Sequence, residues 1–444
     1  MPELLRKLGA RDAALIVMGG IIGSGIFVNP SRVARLVHTT PMIMLAWIAG
    51  GLIAIIGAGI FAELAARRPR DGGLYAYMRD AYHPVVAFCY GWTLLLVSQS
   101  GGAAASAVTF AFYLPAMIGT HLSAGSQTTI AVIVIALFTI VNCLGVRQGA
   151  TTQNTFMIAK IAAILAVIGV GIFAIGHAGT LQSAAIPPDF NPIVAVGLAL
   201  VPVMFAYSGW QTSSFMTAEM RDPERTLPRG MLFGVLGVIV LYLGMNVVSI
   251  AALGERGLAA TDTPASDVVR VILGPVGGQI MAGIVALSTL GFVTNQILTA
   301  PRVYYQMAAD GTFFKFLARI NRVTHVPVWA IAIQGIAAIV LAMSGRYDLI
   351  LNWVTSVDYV FFGLSALALI IFRTRDREAG APQPFFRMPL HPWSTILFLI
   401  VSWAIVIDVL VKSPKDTSYG ILLLLAGIPA YWLFRWYHNR PQSS

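Results

Sequence analysis

The chain has 444 residues, 57% of them hydrophobic and 11% charged, and its mean hydropathy is +0.77. A soluble domain carries roughly 25% charged residues, so the composition excludes a soluble enzyme and points to a polytopic membrane protein with about ten to twelve crossings and no sizeable soluble domain. The net charge of +10 belongs to loops on the cytoplasmic side of such a protein and does not imply nucleic-acid binding.

Apolar runs fall at 12–36, 41–66, 83–114, 126–145, 151–176, 193–220, 229–253, 277–307, 327–344, 348–372, 394–412 and 417–437. Each is within reach of a spanning helix, which predicts twelve transmembrane helices. The first run follows basic residues but continues too far for a signal peptide and reads as a retained span. One set of loops holds most of the basic residues, from Arg6, Lys7 and Arg11 through Arg67, Arg68, Arg70 and Arg79 to Arg435 and Arg440. The other set holds Arg32, Arg35, Arg256, Arg270, Arg346, Lys412 and Lys415. This asymmetry predicts that both termini are cytoplasmic.

The first run contains Met18-Gly-Gly-Ile-Ile-Gly-Ser-Gly-Ile-Phe-Val-Asn-Pro30. Glycine costs roughly 0.8–1 kcal/mol in a helix interior, and backbone groups freed within hydrocarbon find no water. Irregular backbone there must face protein, a cavity or a ligand, although small residues also serve helix packing. In the third run, Ser98-Gln-Ser-Gly-Gly-Ala-Ala-Ala-Ser106 reads first as such a packing patch and second as a lining segment.

The sixth run repeats the anomaly at Phe205-Ala-Tyr-Ser-Gly-Trp210, just after Pro202. Five spans separate Gly23 from Ser208, so the two interrupted spans run in opposite directions. Interrupted helices at matching places in two five-span halves point to an inverted-repeat transporter with its site at the bilayer midplane. The halves are 1–185 and 186–378, with spans eleven and twelve and the tail in 379–444.

The helix that restarts after the first break presents free N–H groups, worth roughly half a positive charge, to the midplane. The half-helix ending near Phe205 to Tyr207 presents free carbonyls there. Together they suit a zwitterion, that is, an α-amino acid. Glycine at 23 and 25 lets ligand atoms approach the backbone. Tyr207 and Trp210 are gate candidates, and core or interfacial packing is the alternative for each.

Ionisable groups inside spans are expensive and so suspected of function. Lys160, midway along span five, reads either as a resident cation tethering span one to span eight in place of Na⁺, or as a side chain snorkelling to the interface. Asp358 reads as a proton carrier, as a partner for a cationic group, or as a helix cap or helix–helix hydrogen-bond partner. Glu63, Glu219 and Arg302, near cytoplasmic ends, read as gate or packing ion pairs. No acidic side chain is evident near the breaks, which favours a neutral substrate. No phosphate loop, nucleophile elbow or zinc motif is present, nor any metal spacing for Cys89, Cys143 or the histidines. An enzyme, a cofactor and a metal are therefore not expected.

Gly20-Ile-Ile-Gly-Ser-Gly-Ile-Phe27 resembles the first-span signature of the amino acid–polyamine–organocation superfamily, which has the leucine-transporter fold. Asp71-Gly-Gly-Leu-Tyr-Ala-Tyr77, His83-Pro84 and Phe88-Cys-Tyr-Gly-Trp92 are similar to its loop and third-span motif. So are Phe205–Trp210 with Glu219-Met-Arg-Asp-Pro-Glu-Arg-Thr-Leu-Pro-Arg229 to its sixth span and following loop. Thr299-Ala-Pro-Arg302, Ala308-Ala-Asp-Gly311 and Val326-Pro327 look like the end of its eighth span and the loop beyond.

The chain looks most like prokaryotic relatives of the L-type amino acid transporters. That resemblance implies a 5+5 inverted repeat with helices 1 and 6 unwound at the midplane, in the cell inner membrane. It implies a sodium-independent exchanger or facilitator binding the α-carboxylate at Gly23, Ser24 and Gly25. It places the α-amino group at the carbonyls of Phe205, Ala206 and Tyr207, with Ile22 and Ser208 as further substrate-binding residues, Lys160 as the fifth-span lysine and Tyr242 as a tyrosine supporting the sixth-span break. Two departures stand out. Residues 115–126 lack the cysteine that bonds eukaryotic light chains to a heavy-chain glycoprotein, so such a partner is not expected. Ala218-Glu219 stands where many relatives carry two adjacent acids. The alternatives are a proton-coupled amino acid or polyamine symporter using Asp358, and a membrane amino acid sensor, for which the short tails leave no output domain.

Overall fold

Chains this apolar satisfy their backbone N–H and C=O groups within each segment by forming helices. The computed structural model describes residues 4, 6–118, 120, 122–174, 188–274, 276–343, 347–412 and 414–439. In order the helices are α1 (Ala10–Ile21), α2 (Gly25–Val37), α3 (Thr40–Arg67), α4 (Leu74–Ala81) and α5 (Pro84–Thr93). A π-helical turn, Leu94–Ser98, leads into α6 (Gln99–Ile118), followed by α7 (Ala124–Cys143), α8 (Val146–Ala174) and α9 (Pro192–Tyr207). A 3-10 segment, Trp210–Glu219, precedes α10 (Pro223–Ala260), α11 (Pro264–Leu273), α12 (Val276–Thr299) and α13 (Pro301–Ala309). After a short 3-10 turn, Lys315–Ala318, come α14 (Val328–Met343), α15 (Tyr347–Glu378), α16 (Trp393–Lys412) and α17 (Pro414–Asn439).

Among the described residues, ten helical stretches are long and apolar enough to cross a membrane, and the bent pair α1–α2 makes an eleventh. α14 is apolar but shorter, at 16 residues. The architecture is all-helical and multi-pass; the described residues form no strand beyond an isolated bridge between Leu8 and Met220. The repeat boundary at 185–186, Arg346 and Arg440 lie outside the described residues.

Proline marks many helix starts, as at Pro41, Pro84, Pro192, Pro223, Pro264 and Pro301, where its missing N–H would be unpaired anyway. Asn191 completes the start of α9 by accepting from the amides of Ile193 (3.1 Å) and Val194 (3.2 Å).

Lipid gives helices no hydrophobic reason to associate, so close packing must do it, and small residues permit it. A methyl group at Gly230 of α10 would lie 2.3 Å from the Ala13 Cβ of α1, and one at Gly234 would lie 2.8 Å from the Val17 Cβ. The groove made by this i, i+4 pair seats α1 inside the bundle, where Ile16, Val17, Ile21 and Ile22 are buried. Phe112, Ile193, Phe233 and Ile336 point outward and stay exposed, as side chains facing lipid do.

Charged groups gather where helices end. Glu63 accepts from Arg67 (2.7 Å), Arg373 (2.5 Å) and the Met388 amide (2.6 Å), so its buried carboxylate is fully engaged. Arg302 meets Glu219 at 2.9 Å, with side-chain exposures of 2% and 0%. The amides of Lys7 and Leu8 both donate to the Glu219 carbonyl at 3.0 Å, and the Arg221 amide donates back to Leu8 at 2.8 Å. The chain before α1 is thereby strapped to the end of the interrupted α9 span.

Candidate substrate site

Two chain breaks meet in the middle of this bundle. α1 ends at Ile21 and α2 restarts at Gly25, bent by 50°. The Ile22 amide donates to Met18 at 2.8 Å and the Gly23 amide to Ile21 at 2.9 Å, closing the end of α1. Three consecutive carbonyls that the bend exposes are then met from three other helices. Tyr242 of α10 donates to Ile21 (3.3 Å), Lys160 of α8 to Ile22 (2.5 Å), and Ser288 of α12 to Gly23 (3.3 Å).

Lys160 is only 1% exposed, and its ammonium ends at the break rather than at the bundle surface. A methyl at Gly291 of α12 would stand 3.4 Å from the Lys160 Nζ, so span eight passes directly alongside.

α9 ends at Tyr207, Ser208 is extended, and Gly209 takes φ +127° before the 3-10 segment begins. Only glycine fits there. A Cβ at Gly209 would also fall 2.1 Å from the Gly20 carbonyl oxygen, so the two breaks touch through their backbones. The Ser208 hydroxyl donates to Phe205 at 2.9 Å, and the Tyr242 hydroxyl stands 3.1 Å from the Ala206 oxygen. The Phe205 carbonyl thus already accepts one donor, and the Ala206 carbonyl shares the single Tyr242 proton with Ile21. A carbonyl has two lone pairs, so each keeps one site for a ligand.

A cavity of about 90 Å³ lies between the breaks. Of the predicted residues, Gly23, Ser24, Gly25, Phe205, Ala206, Ser208 and Asp358 line it. Ile22 and Tyr207 do not: Ile22 enters through its carbonyl, and the Tyr207 ring packs 5.0 Å from Tyr242 and 5.7 Å from Trp47. Trp210 is likewise in the core, 5.2 Å from Phe362. Glu219 lies outside the lining, held by Arg302. Gly25 faces a neighbour as well as the cavity, since a methyl there would sit 3.1 Å from the Ala206 Cα.

The third-span patch packs, with Ala103 and Ala104 buried, and also lines the cavity through Ser98, Gln99, Gly102 and Ser106. The π-turn Leu94–Ser98 inserts an extra residue into the helical register just before Gln99. One expectation needs correcting, the absence of an acid near the breaks. Asp358 lines the same cavity, its Oδ1 accepting from the Ser98 hydroxyl at 2.6 Å. Gln211 and Gln296 were missed, and a polar residue inside each apolar run was the available signal.

The start of one half-helix and the carbonyls at the end of another, facing one small polar cavity inside a multi-pass bundle, make a membrane transporter rather than an enzyme. The chain belongs to the amino acid permease family, whose model matches residues 8–432. It is similar to the b(0,+)-type amino acid transporter 1 of Mus musculus, 29% identical over 440 residues that cover 98% of this chain and 89% of the relative. The large neutral amino acids transporter small subunit 2 of Homo sapiens is 29% identical over 446 residues, covering 99% and 82%. The same protein of Oryctolagus cuniculus reaches 30% identity over 446 residues, covering 99% and 82%.

Proposed function

We propose that this permease is a sodium-independent exchanger or facilitator of neutral L-amino acids working by alternating access. The observation that carries the reading is the cavity shared by the two breaks. The α-carboxylate sits at the break, around Gly23, Ser24 and Gly25, where the start of α2 makes the helix dipole positive. The α-ammonium takes the remaining lone pairs of the Phe205, Ala206 and Tyr207 carbonyls. Lys160 supplies the positive charge that a bound Na⁺ would otherwise bring to the break, supported by its contact with Ile22 at 2.5 Å.

The reading takes α14 as a further span, giving twelve, with a 5+5 inverted repeat whose first and sixth spans are unwound at the midplane. Both termini face the cytoplasm in an inner membrane, in keeping with the Lys/Arg asymmetry. A disulfide-linked heavy chain is not part of this account. The two cysteines of the sequence are a buried Cys89 and Cys143 at the end of α7, and neither lies in the α6–α7 connection.

The test is counterflow. Purified protein in liposomes, preloaded with one amino acid and free of Na⁺ and pH gradients, should take up radiolabelled neutral amino acids from a panel of the common ones. Uptake that appears only under an imposed ion gradient would contradict the exchange reading.

A further inference from the structure

A second cavity, of about 390 Å³, lies where α3 and α15 end and the α15–α16 connection begins. Arg67, Arg373, Arg377 and Arg387 line it, together with Asp376 and His391. Arg67 bonds Glu63 (2.7 Å) and Asp376 (2.6 Å), Arg373 bonds Glu63 (2.5 Å), and Arg68 bonds Asp376 from just outside the lining. Five arginines thus stand against two carboxylates, which leaves three positive charges. Glu378, next to Arg377 in sequence, does not line the cavity. Arg377 and Arg387 are exposed and pair with no carboxylate among the described residues.

The surroundings say what an anion here is attached to. α16 starts at Trp393 and is long and apolar enough to cross a membrane. Leu390, Trp393 and Leu397 are 81%, 76% and 47% exposed, and the first two flank His391 in sequence. An exposed tryptophan at the end of a span marks the headgroup level, so the arginines stand at the depth of lipid phosphates. Positive charge continues onto α10, where Arg225 and Arg229 lie 5.4 and 5.3 Å from the ring centre of Phe385 in the same connection.

We propose that this cavity binds the headgroup of an anionic phospholipid, its phosphate held by Arg377 and Arg387 and its acyl chains lying along α16. Guanidinium forks bond phosphate oxygens bidentately, and these two have their donors to spare. Basic pockets at the ends of spanning helices suit such headgroups. The inference is independent of the substrate assignment, since this cavity shares no lining residue with the one between the breaks.

Full-length protein in a neutral detergent is titrated with phosphatidylglycerol, or with phosphatidylcholine of the same acyl chains, whose choline cancels the phosphate charge. Phosphatidylglycerol should raise the melting temperature with a saturable midpoint, and phosphatidylcholine should not. Arg377→Gln with Arg387→Gln leaves the Glu63 and Asp376 pairs in place. In that double variant the midpoint should move to at least about tenfold more lipid, as loss of hydrogen bonds to a charged group implies. Arg319→Gln with Arg322→Gln removes the same charge from exposed positions between α13 and α14 and should keep the wild-type midpoint.

Equal stabilisation by the two lipids overturns the inference, and so does an unmoved midpoint in the Arg377 and Arg387 variant. An equal shift in the Arg319 and Arg322 variant overturns it as well, because the attraction then belongs to the whole surface. Inorganic phosphate that stabilises as much as phosphatidylglycerol gives the cavity to a free anion and overturns the lipid. If the double variant does not fold, Arg377→Gln alone is titrated and judged by the same shift.

Discussion

The Lys160 ammonium donates to the Ile22 carbonyl at 2.5 Å, joining α8 to the break between α1 and α2. In the proposed function this donor does what a bound cation would do, and it cannot dissociate. Lys160→Ala should therefore cut initial transport rates roughly 10- to 100-fold, the equivalent of about 1.5–3 kcal/mol for a charged hydrogen bond. Equilibrium competition should distinguish α-amine analogues as in the wild type. Wild-type rates would remove the lysine from the account.

Tyr242 bridges the two breaks, 3.3 Å from Ile21 and 3.1 Å from Ala206. Tyr242→Phe keeps the ring against Tyr207 and removes only the hydroxyl. Thermal unfolding should report a loss of about 1 kcal/mol, the net value of one hydrogen bond, and transport should slow in the same variant. An unchanged melting temperature would mean that neither bond holds the breaks together.

The glycines should separate by what a methyl group would meet. Gly209→Ala combines φ +127° with a clash at the Gly20 carbonyl and should reduce folded protein in detergent. Gly23→Ala meets only Phe292, at an ordinary 3.4 Å, so it should fold normally and lose transport because the methyl enters the cavity. Gly25→Ala, 3.1 Å from Ala206, should abolish or sharply reduce uptake with expression retained. Size-exclusion profiles and uptake together check this order, and full transport by Gly25→Ala would remove the carboxylate assignment.

Arg302 and Glu219 are buried together where the chain before α1 is strapped down. Arg302→Ala leaves the carboxylate buried and alone and should destabilise by roughly 3–5 kcal/mol. Adding Glu219→Gln should recover part of that loss. A double-mutant cycle on melting temperatures measures the coupling, and strictly additive losses would mean that the two side chains stabilise independently.

Hydropathy marked the helices because hydrocarbon demands long apolar ones, and most observed ends fall close to the runs, α10 and α15 extending further. Both breaks were legible for a similar reason: Gly23-Ser24-Gly25 and Ser208-Gly209 are poor helix within apolar segments. The rest of the site was not. Nothing in composition marks the π-turn at Leu94–Ser98, which carries Ser98 and Gln99 to the cavity. Asp358 and Gln296 come together with them only through the packing of α6, α12 and α15. Aromatic rings beside a break have two uses, gating or packing, and Tyr207 and Trp210 take the commoner one, each turned into the core. Gly20 and Gly209 serve contact between the breaks, a role that sequence spacing does not distinguish from ligand access.

The central claim is that one cavity reads both ends of a zwitterion. It is tested most directly by competition against radiolabelled leucine with two analogues, leucinamide and N-acetyl-leucine. Leucinamide lacks the α-carboxylate charge and N-acetyl-leucine lacks the α-ammonium. Each should lose at least about tenfold in potency against leucine, as the loss of a hydrogen bond to a charged group predicts. Equal potency for either analogue would contradict the assignment of its missing group to the helix breaks.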